Sequence, residues 1–215
     1  MEITAFTLWA PGLESLEDWQ LWTDGRKQGE NSPASPKLTF ASPIAVRRLS
    51  QLTRMTVHAS YILGLDAGEL FFASSNGEIN AQIKVNNAYA ETGEVKPSVF
   101  SLSVFNAAPA QATILLKSRI PYSPVFSSRE SIIQNLVLAG TAPLVSGRLD
   151  SSLLIYAEEK VPEQYQSLLP DFEQPMVLGI RLSSGGSWDF PASAIVSPES
   201  LIHHLVKEHS GKWAC

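Results

Sequence analysis

The order of apolar and polar positions along the chain predicts strands that alternate with helices. Short segments with apolar centres predict strands at residues 2–9, 69–74, 120–126, 151–159 and 175–183. The fourth segment, SSLLIYAEE, is apolar on both sides at its centre, which is typical of a strand in a sheet that is covered on both faces. The alternation therefore predicts an α/β fold with a mostly parallel central sheet covered by helices.

The segments between these strands carry the helical patterns. A long loop rich in Gly, Pro, Ser and charge is predicted at 24–42, and the clearest helix follows it at 43–64. A weaker helical pattern covers 78–90. Residues after about 102 are also predicted helical, so Pro109 must lie in a first turn or at a kink. The last helix is predicted to begin after Ser197, a typical N-cap residue that precedes a proline.

Composition limits the classes of function. The chain has 215 residues, 44% of them hydrophobic, which predicts a single domain over residues 1–215 with a substantial core. Its net charge of −5 argues against nucleic acid as a partner. No apolar run reaches the length of a membrane span and no leader pattern opens the sequence, so a cytoplasmic protein is expected. The single cysteine, Cys215, is the last residue and is a poor candidate nucleophile.

A sharp strand-to-helix corner is predicted within the sequence PVFSSRESIIQNL, which begins at Pro124. Ser127 and Glu130 have the spacing of a capping box, in which the serine accepts from a backbone amide of the first turn and the glutamate reaches back to the cap. The alternative is catalysis by Ser127 or Ser128. It lacks support from the flanking glycines of a nucleophile elbow. Capping and catalysis are the two interpretations of this corner.

Other residue types that carry chemistry do not combine into a recognisable site. Glu158 and Glu159 end a strand but have no definable catalytic partner, so they are expected to be solvated. The chain has four histidines, His58, His203, His204 and His209. None of their spacings matches a helical zinc site. Phosphate-binding loops, dinucleotide fingerprints and zinc cysteine sets are missing from the sequence. The residues alone thus predict no metal, no cofactor and no catalytic set.

Four motifs, in their order along the chain, resemble the N-terminal half of a β-ketoacyl-acyl-carrier-protein synthase. They resemble more closely the short ketosynthase-like chain-length factors of aryl polyene pigment clusters. The motifs are VRRLSQLTRM, FFASSNGE, FSLSVFNAA and LLIYAEE, and the resemblance extends from about Val46 to Leu182. It implies a thiolase-like fold.

The resemblance also bears on catalysis. Active ketosynthases carry a nucleophilic cysteine directly after a strand, and the alignment with this chain puts Phe126 at that position. A phenyl ring cannot form a thioester. The two catalytic histidines of the family belong to a C-terminal half that this sequence does not contain. The resemblance therefore implies a ketosynthase homologue without catalysis of its own.

A further implication is a heterodimer with a full-length β-ketoacyl-acyl-carrier-protein synthase, as chain-length factors form in type II polyketide systems. The acyl carrier protein is a further candidate partner. Family members place the segment before an asparagine at the dimer interface near the growing chain, and the corresponding residues are Phe100, Ser103, Phe105 and Asn106. The strand at 120–126 is expected to pair with its counterpart in the partner. Two other functions stay open: a small acyltransferase or hydrolase, and a structural homodimer.

Overall fold

The computed structural model describes residues 1–166, 174–186 and 188–215. Within these residues one five-stranded sheet has the order β1–β5–β4–β2–β3. Its strands are β1 (Glu2–Trp9), β2 (Glu69–Ala73), β3 (Tyr122–Val125), β4 (Ser151–Glu158) and β5 (Met176–Ser183). Each of the five predicted strands is therefore present, close to its predicted position.

The sheet is mixed, which corrects the prediction that it is mostly parallel. β2 pairs in parallel with β3 and with β4, whereas β5 is antiparallel to both β4 and β1. The reason lies in the connection from β4 to β5. Met176, the first residue of β5, pairs with Glu158, the last residue of β4, so the chain returns from the same end of the sheet. A parallel neighbour requires a crossover to the opposite end, and alternation of elements does not reveal that direction.

Helices cover both faces of the sheet, as predicted. They are α1 (Leu16–Thr23), α2 (Pro43–Val46), α3 (Gln51–Leu63), α4 (Ile79–Thr92), α5 (Pro97–Phe100), α6 (Ala107–Leu115), α7 (Ile132–Val145), α8 (Glu163–Gln166) and α9 (Pro198–Glu208). In the described part of the chain, none of these helices is long and apolar enough to cross a membrane.

Two apolar clusters hold the layers together, one on each face of the sheet. α7 and α9 pack on one face through residues such as Leu136 and Leu205, whereas α3 packs on the other through Met55. β4 contributes to both clusters, because Leu154 faces the first and Leu153 faces the second. The prediction of a strand buried on both faces is confirmed.

The predicted helix at 43–64 is broken in the structure. α2 ends at Val46 and α3 begins at Gln51. Ser50 caps α3, because its Oγ accepts a hydrogen bond from the Thr53 amide at 2.9 Å. Serine competes for backbone groups in this way and so favours a helix start over a helix interior.

The segment from α4 to the end of α5, residues 79–100, contains no buried residue. α4 has 14 residues and none of them is buried. α6 begins at Ala107, later than predicted, and Pro109 lies in its first turn as expected. α6 then packs against α3 through Ala108 and Ala112.

The two edges of the sheet differ. At β1 the C-terminal residues lie along the outer edge, where the Ala214 amide donates to the Phe6 carbonyl at 2.8 Å and the Trp213 ring packs edge-on against Phe6. β3 is the strand at the other edge, and within the described residues its ladder is with β2 alone. β3 therefore offers a row of backbone groups to another chain.

Candidate functional site

The carboxyl ends of the three parallel strands lie together at one end of the sheet. β2 is followed there by the loop at residues 74–78, β3 by the corner at 126–131, and β4 by Glu159 and Lys160. In α/β folds, ligands and catalytic groups are usually found at the carboxyl ends of the parallel strands. This end of the sheet is therefore the candidate functional site.

At this end of the sheet, three aromatic rings contact one another in a row that leads from the core to the surface. Phe72 is fully buried, and its ring lies 5.7 Å from that of Phe105, edge to face. The Phe105 ring lies 4.0 Å from the ring of Phe126, which is 69% exposed. The sequence predicted separate roles for Phe105 and Phe126, and the structure brings the two together.

Gly77 leaves the space that the Phe105 ring occupies. It has φ +58°, and a Cβ at this position would lie 3.1 Å from Cδ2 of Phe105. A larger residue would have to displace the ring and adopt a left-handed backbone that L residues rarely take. Gly77 was not predicted as a site residue.

The other three residues of the predicted interface segment differ in exposure. Phe100, at the end of α5, is 55% exposed, so it is not a core residue. Ser103 is buried and its hydroxyl donates to the Phe100 carbonyl at 2.9 Å. Asn106 is exposed at the start of α6. Phe100 and Asn106 thus lie at the surface, whereas Ser103 is buried.

The capping box predicted at Ser127 and Glu130 is wrong. A 3-10 turn at Arg129–Ser131 precedes α7, so the N-cap residues are Ser128 and Ser131, and neither makes a side-chain capping bond in the described structure. Ser127 Oγ instead accepts from Asn135 Nδ2 at 2.5 Å. The Glu130 carboxyl hydrogen-bonds its own amide and the Ser128 hydroxyl, which lowers its pKa.

Ser127 also lacks the partner that catalysis needs. The hydroxyls of Ser127 and Ser128 each lie 2.9 Å from Ser131 Oγ. In the part of the chain that is described, the side-chain hydrogen bonds of Ser127 go to Ser131 and Asn135, and neither of these is a general base. These bonds hold the corner in shape without activating the Ser127 hydroxyl, whereas the Ser128 hydroxyl also contacts the exposed Glu130 carboxyl.

Glu158 is buried, contrary to the prediction that it is solvated. Its carboxylate accepts hydrogen bonds from the Ser75 amide, from the Asn76 amide at 3.3 Å and from the Asn76 side chain at 3.1 Å. Asn76 Oδ1 accepts in turn from Arg129 Nη2 at 3.2 Å. Glu158 therefore ties the β2–α4 loop to the corner after β3.

Glu159 is buried as well, beside a second buried carboxyl. The Asn80 amide donates to Glu159 Oε1 at 3.0 Å. Glu78 is 1% exposed, and its Oε1 accepts from the Thr53 hydroxyl at 2.6 Å and from the Ser50 hydroxyl at 2.9 Å. Burial, to which the Glu159 charge adds, raises the pKa of Glu78 to about 7.

The sequence analysis missed Glu78, and it misjudged Glu158 and Glu159. The available signal was the position of the acidic pair at the end of a strand that is buried on both faces, since such a strand carries its last residues into the interior. The amides that donate hydrogen bonds to these two carboxylates belong to residues 75–80, more than 75 positions earlier in the chain. Spacing alone could not show that contact.

The family model described as Beta-ketoacyl synthase, N-terminal domain, matches residues 19–214. No curated protein matches the chain.

Several solved structures have the same fold. One is a ketosynthase (ApeO) in complex with its chain length factor (ApeC) from Xenorhabdus doucetiae, with TM-score 0.78 and 22% identity over 97% of this chain and 92% of that one. The ishigamide ketosynthase/chain length factor matches with TM-score 0.66 and 13% identity, over 83% of this chain and 61% of that one. A β-ketoacyl synthase from Burkholderia phymatum STM815 gives 0.52 and 12%, over 70% of this chain and 46% of that one. The chain therefore spans less than two thirds of the last two, and at these identities the likeness concerns the fold.

Proposed function

The chain belongs to the family of β-ketoacyl synthase N-terminal domains, and on that basis we propose that it is a chain-length-factor subunit without catalysis of its own. As a single domain over residues 1–215, it pairs in the cytoplasm with a full-length β-ketoacyl-acyl-carrier-protein synthase. It completes that enzyme's dimer and shapes the acyl tunnel during aryl polyene, polyketide or fatty-acid-type elongation. No cofactor is needed for this role.

One observation carries the proposal: an exposed phenyl ring stands where the family's nucleophile would follow β3. Phe126 comes directly after Val125, the last residue of β3, and its ring is 69% exposed. A side chain of this kind gives no thioester chemistry, but it gives apolar area to a partner. Large aromatics contribute strongly to binding where they are buried on association.

The surroundings of Phe126 support a protein partner. The open edge of β3 lies next to it, and Phe100, elsewhere in the predicted interface segment, is also more than half exposed. Exposed aromatic residues beside an unpaired strand are a liability in a chain that stays alone. Both solved complexes named above pair a ketosynthase with a chain length factor, and we extend that pairing to this chain.

The test is co-expression with a full-length β-ketoacyl synthase from the same gene cluster, followed by size-exclusion chromatography. We expect one heterodimer peak. The variant Phe126→Asp should lose the heterodimer, because a carboxylate would be buried without a partner. The matched control is Val145→Asp on α7, which is 73% exposed and lies at the far end of that helix from the corner.

Three outcomes would contradict the proposal. The first is a monodisperse monomer that ignores the synthase, and the second is a stable homodimer, which would favour a structural role. The third is an acyl adduct on Ser127 or Ser128 after incubation with acyl-carrier thioesters, detected by intact-mass spectrometry, which would favour an acyltransferase or hydrolase. Recovery of the carrier protein with the heterodimer would add it as a direct partner.

A further inference from the structure

Helix α4 is held to the rest of the molecule by polar contacts of its first turn and by packing against α5. None of its 14 residues is buried, and its packing contacts are with α5. The first turn, in contrast, makes polar contacts with α3 and β4. Asn80 donates its amide to Glu159 Oε1 at 3.0 Å and its side-chain nitrogen to the Lys160 carbonyl at 2.8 Å.

Glu159 joins the N-termini of two helices. Its carboxyl lies against the Asn80 amide, in the first turn of α4, and against the Leu52 amide, in the first turn of α3. The Lys160 amide also donates to Gln51 Oε1 at 2.8 Å, which fixes the end of β4 to α3. Amides at two helix N-termini favour a negative charge between them, so Glu159 is the carboxyl that holds the charge.

Glu78 is the second carboxyl at this junction, and its two oxygens are treated differently. Oε1 accepts from the Ser50 and Thr53 hydroxyls. Oε2 is buried and makes no hydrogen bond to any part of the chain that is described. A second full charge beside Glu159 would be poorly compensated there, and a proton on Oε2 removes it.

We propose that Glu78 and Glu159 are positioning residues for the partner-facing segment: as one protonated and one charged carboxyl, they hold the start of α4, and through it α5, in the arrangement that the partner synthase binds. The inference rests on the proposed function. The geometry that carries it is the junction of three elements at two buried carboxyls, below a helix with no buried residue of its own.

Other charged groups lie beside the two carboxyls. The cavity beside it, about 690 Å³, is lined by basic residues from α2–α3, α4 and the end of β4 and by one further acid. They are Arg47, Arg48, Arg54, Lys84, Lys160 and Glu163. Burial raises the pKa of Glu159, although the hydrogen bonds from Asn80 and Leu52 and the charge of Lys84 act in the opposite direction.

The expected pH dependence follows from the sign of the shift. The pKa of Glu78 lies at about 7 in the folded arrangement, against 4.5 for the ordinary group. The arrangement therefore binds the proton more tightly than an opened segment does. It is most stable below about pH 4.5 and weakens as the pH rises from there to about 7. Between pH 5 and 7 the opening equilibrium should increase roughly fivefold or more for each pH unit, and above pH 7 it should level off.

The experiment is hydrogen–deuterium exchange of the amides in residues 79–100, measured at several pH values from about 4.5 to 8 and corrected for intrinsic exchange. We expect protection in the wild type to fall roughly fivefold or more for each pH unit between pH 5 and 7 and to level off above pH 7. Glu78→Gln, which keeps the shape and cannot ionise, should remove this dependence. Glu91→Gln, an exposed change on the same helix, should leave it as in the wild type.

The affinity of the heterodimer is the second measurement, and it separates this inference from the proposed function. Exchange is measured on whichever assembly the chain forms, so it tests the junction even if no heterodimer exists. With a heterodimer, its dissociation constant should rise with pH in the wild type and stay constant in Glu78→Gln. Flat exchange profiles in the wild type, or an unchanged pH dependence in Glu78→Gln, would overturn the positioning role.

Discussion

Ser127 and Ser197 precede helices in similar sequence contexts, yet their hydroxyls make different bonds. Ser197 Oγ accepts from the Ser200 amide and caps α9, as predicted. Ser127 is displaced from the helix start by the intervening 3-10 turn, and its hydroxyl is bound by the Asn135 side chain. A spacing of three residues to an acid therefore does not define a cap unless the helix begins at that serine.

Ser127→Ala should lower the free energy of unfolding by about 1 kcal/mol, because Asn135 Nδ2 loses its acceptor. Ser128→Ala is the matched control. It removes a neighbouring hydroxyl whose bond to Ser131 is exposed, so its effect should be smaller. Chemical denaturation of both variants measures the difference.

Turnover by the paired synthase is the companion measurement for Ser127→Ala. We expect it to stay near the wild-type value for each intact complex. A collapse of turnover with the complex still assembled would give Ser127 a chemical role and contradict the proposed function.

At the scale of elements, α9 is the clearest case in which local sequence specifies structure. Its N-cap was predicted from residues within one segment, and it is confirmed. Ser197→Ala should cost about 1 kcal/mol of stability, while Ser197→Gly should cost only a few tenths, because glycine is tolerated at an N-cap. Thermal unfolding of the two variants tests this order, and equal losses would contradict the capping role.

Elements defined by distant contacts could not be predicted in the same way. The break between α2 and α3 depends on Ser50, whose hydroxyl both caps α3 and binds Glu78, 28 residues later. The burial of Glu158 depends on the amides of the β2–α4 loop, and the direction of β5 depends on where the connection from β4 returns. Apolar period and capping signals are local, so they identify elements but not these junctions.

The candidate site was predicted in part. The resemblance selected Phe105 and Phe126 for separate reasons, and only the fold shows that their rings are in contact. The acidic groups that fix the neighbouring segment were missed, because a glutamate in a sequence is normally expected to be solvated. Buried carboxyls need donors that only the tertiary structure supplies.

For the whole molecule paired with its synthase, the aromatic side chains should limit product length. Phe100→Ala and Phe105→Ala should each shift the products toward longer chains, since a buried methylene contributes about 0.8 kcal/mol and the vacated space can accept more of them. Mass spectrometry of the products of the reconstituted complex measures the shift.

Stability is the confounding factor, and the two phenylalanines differ in it. Phe100 is 55% exposed in the single chain, so its truncation should cost little folding energy, whereas Phe105 packs against Phe72 and should cost more. Ile114→Ala on α6, at a residue that is 65% exposed, is the control for a general loss of surface apolar area. An unchanged length distribution from both phenylalanine variants in intact complexes would place the end of the tunnel elsewhere.

The order of strands in the sheet has a consequence for how the chain is made. β1 is the first strand to be synthesised, and its partner is β5, which begins at Met176. At translation rates of roughly 5–20 residues per second, β1 waits on the order of ten to thirty seconds for that partner. β2, β3 and β4 are complete before then, so the edge at β3 exists on the ribosome while the opposite half of the sheet does not. A synthase that meets the nascent chain can occupy this edge before the subunit has finished folding, and assembly during translation would shield the exposed rings from the moment they appear.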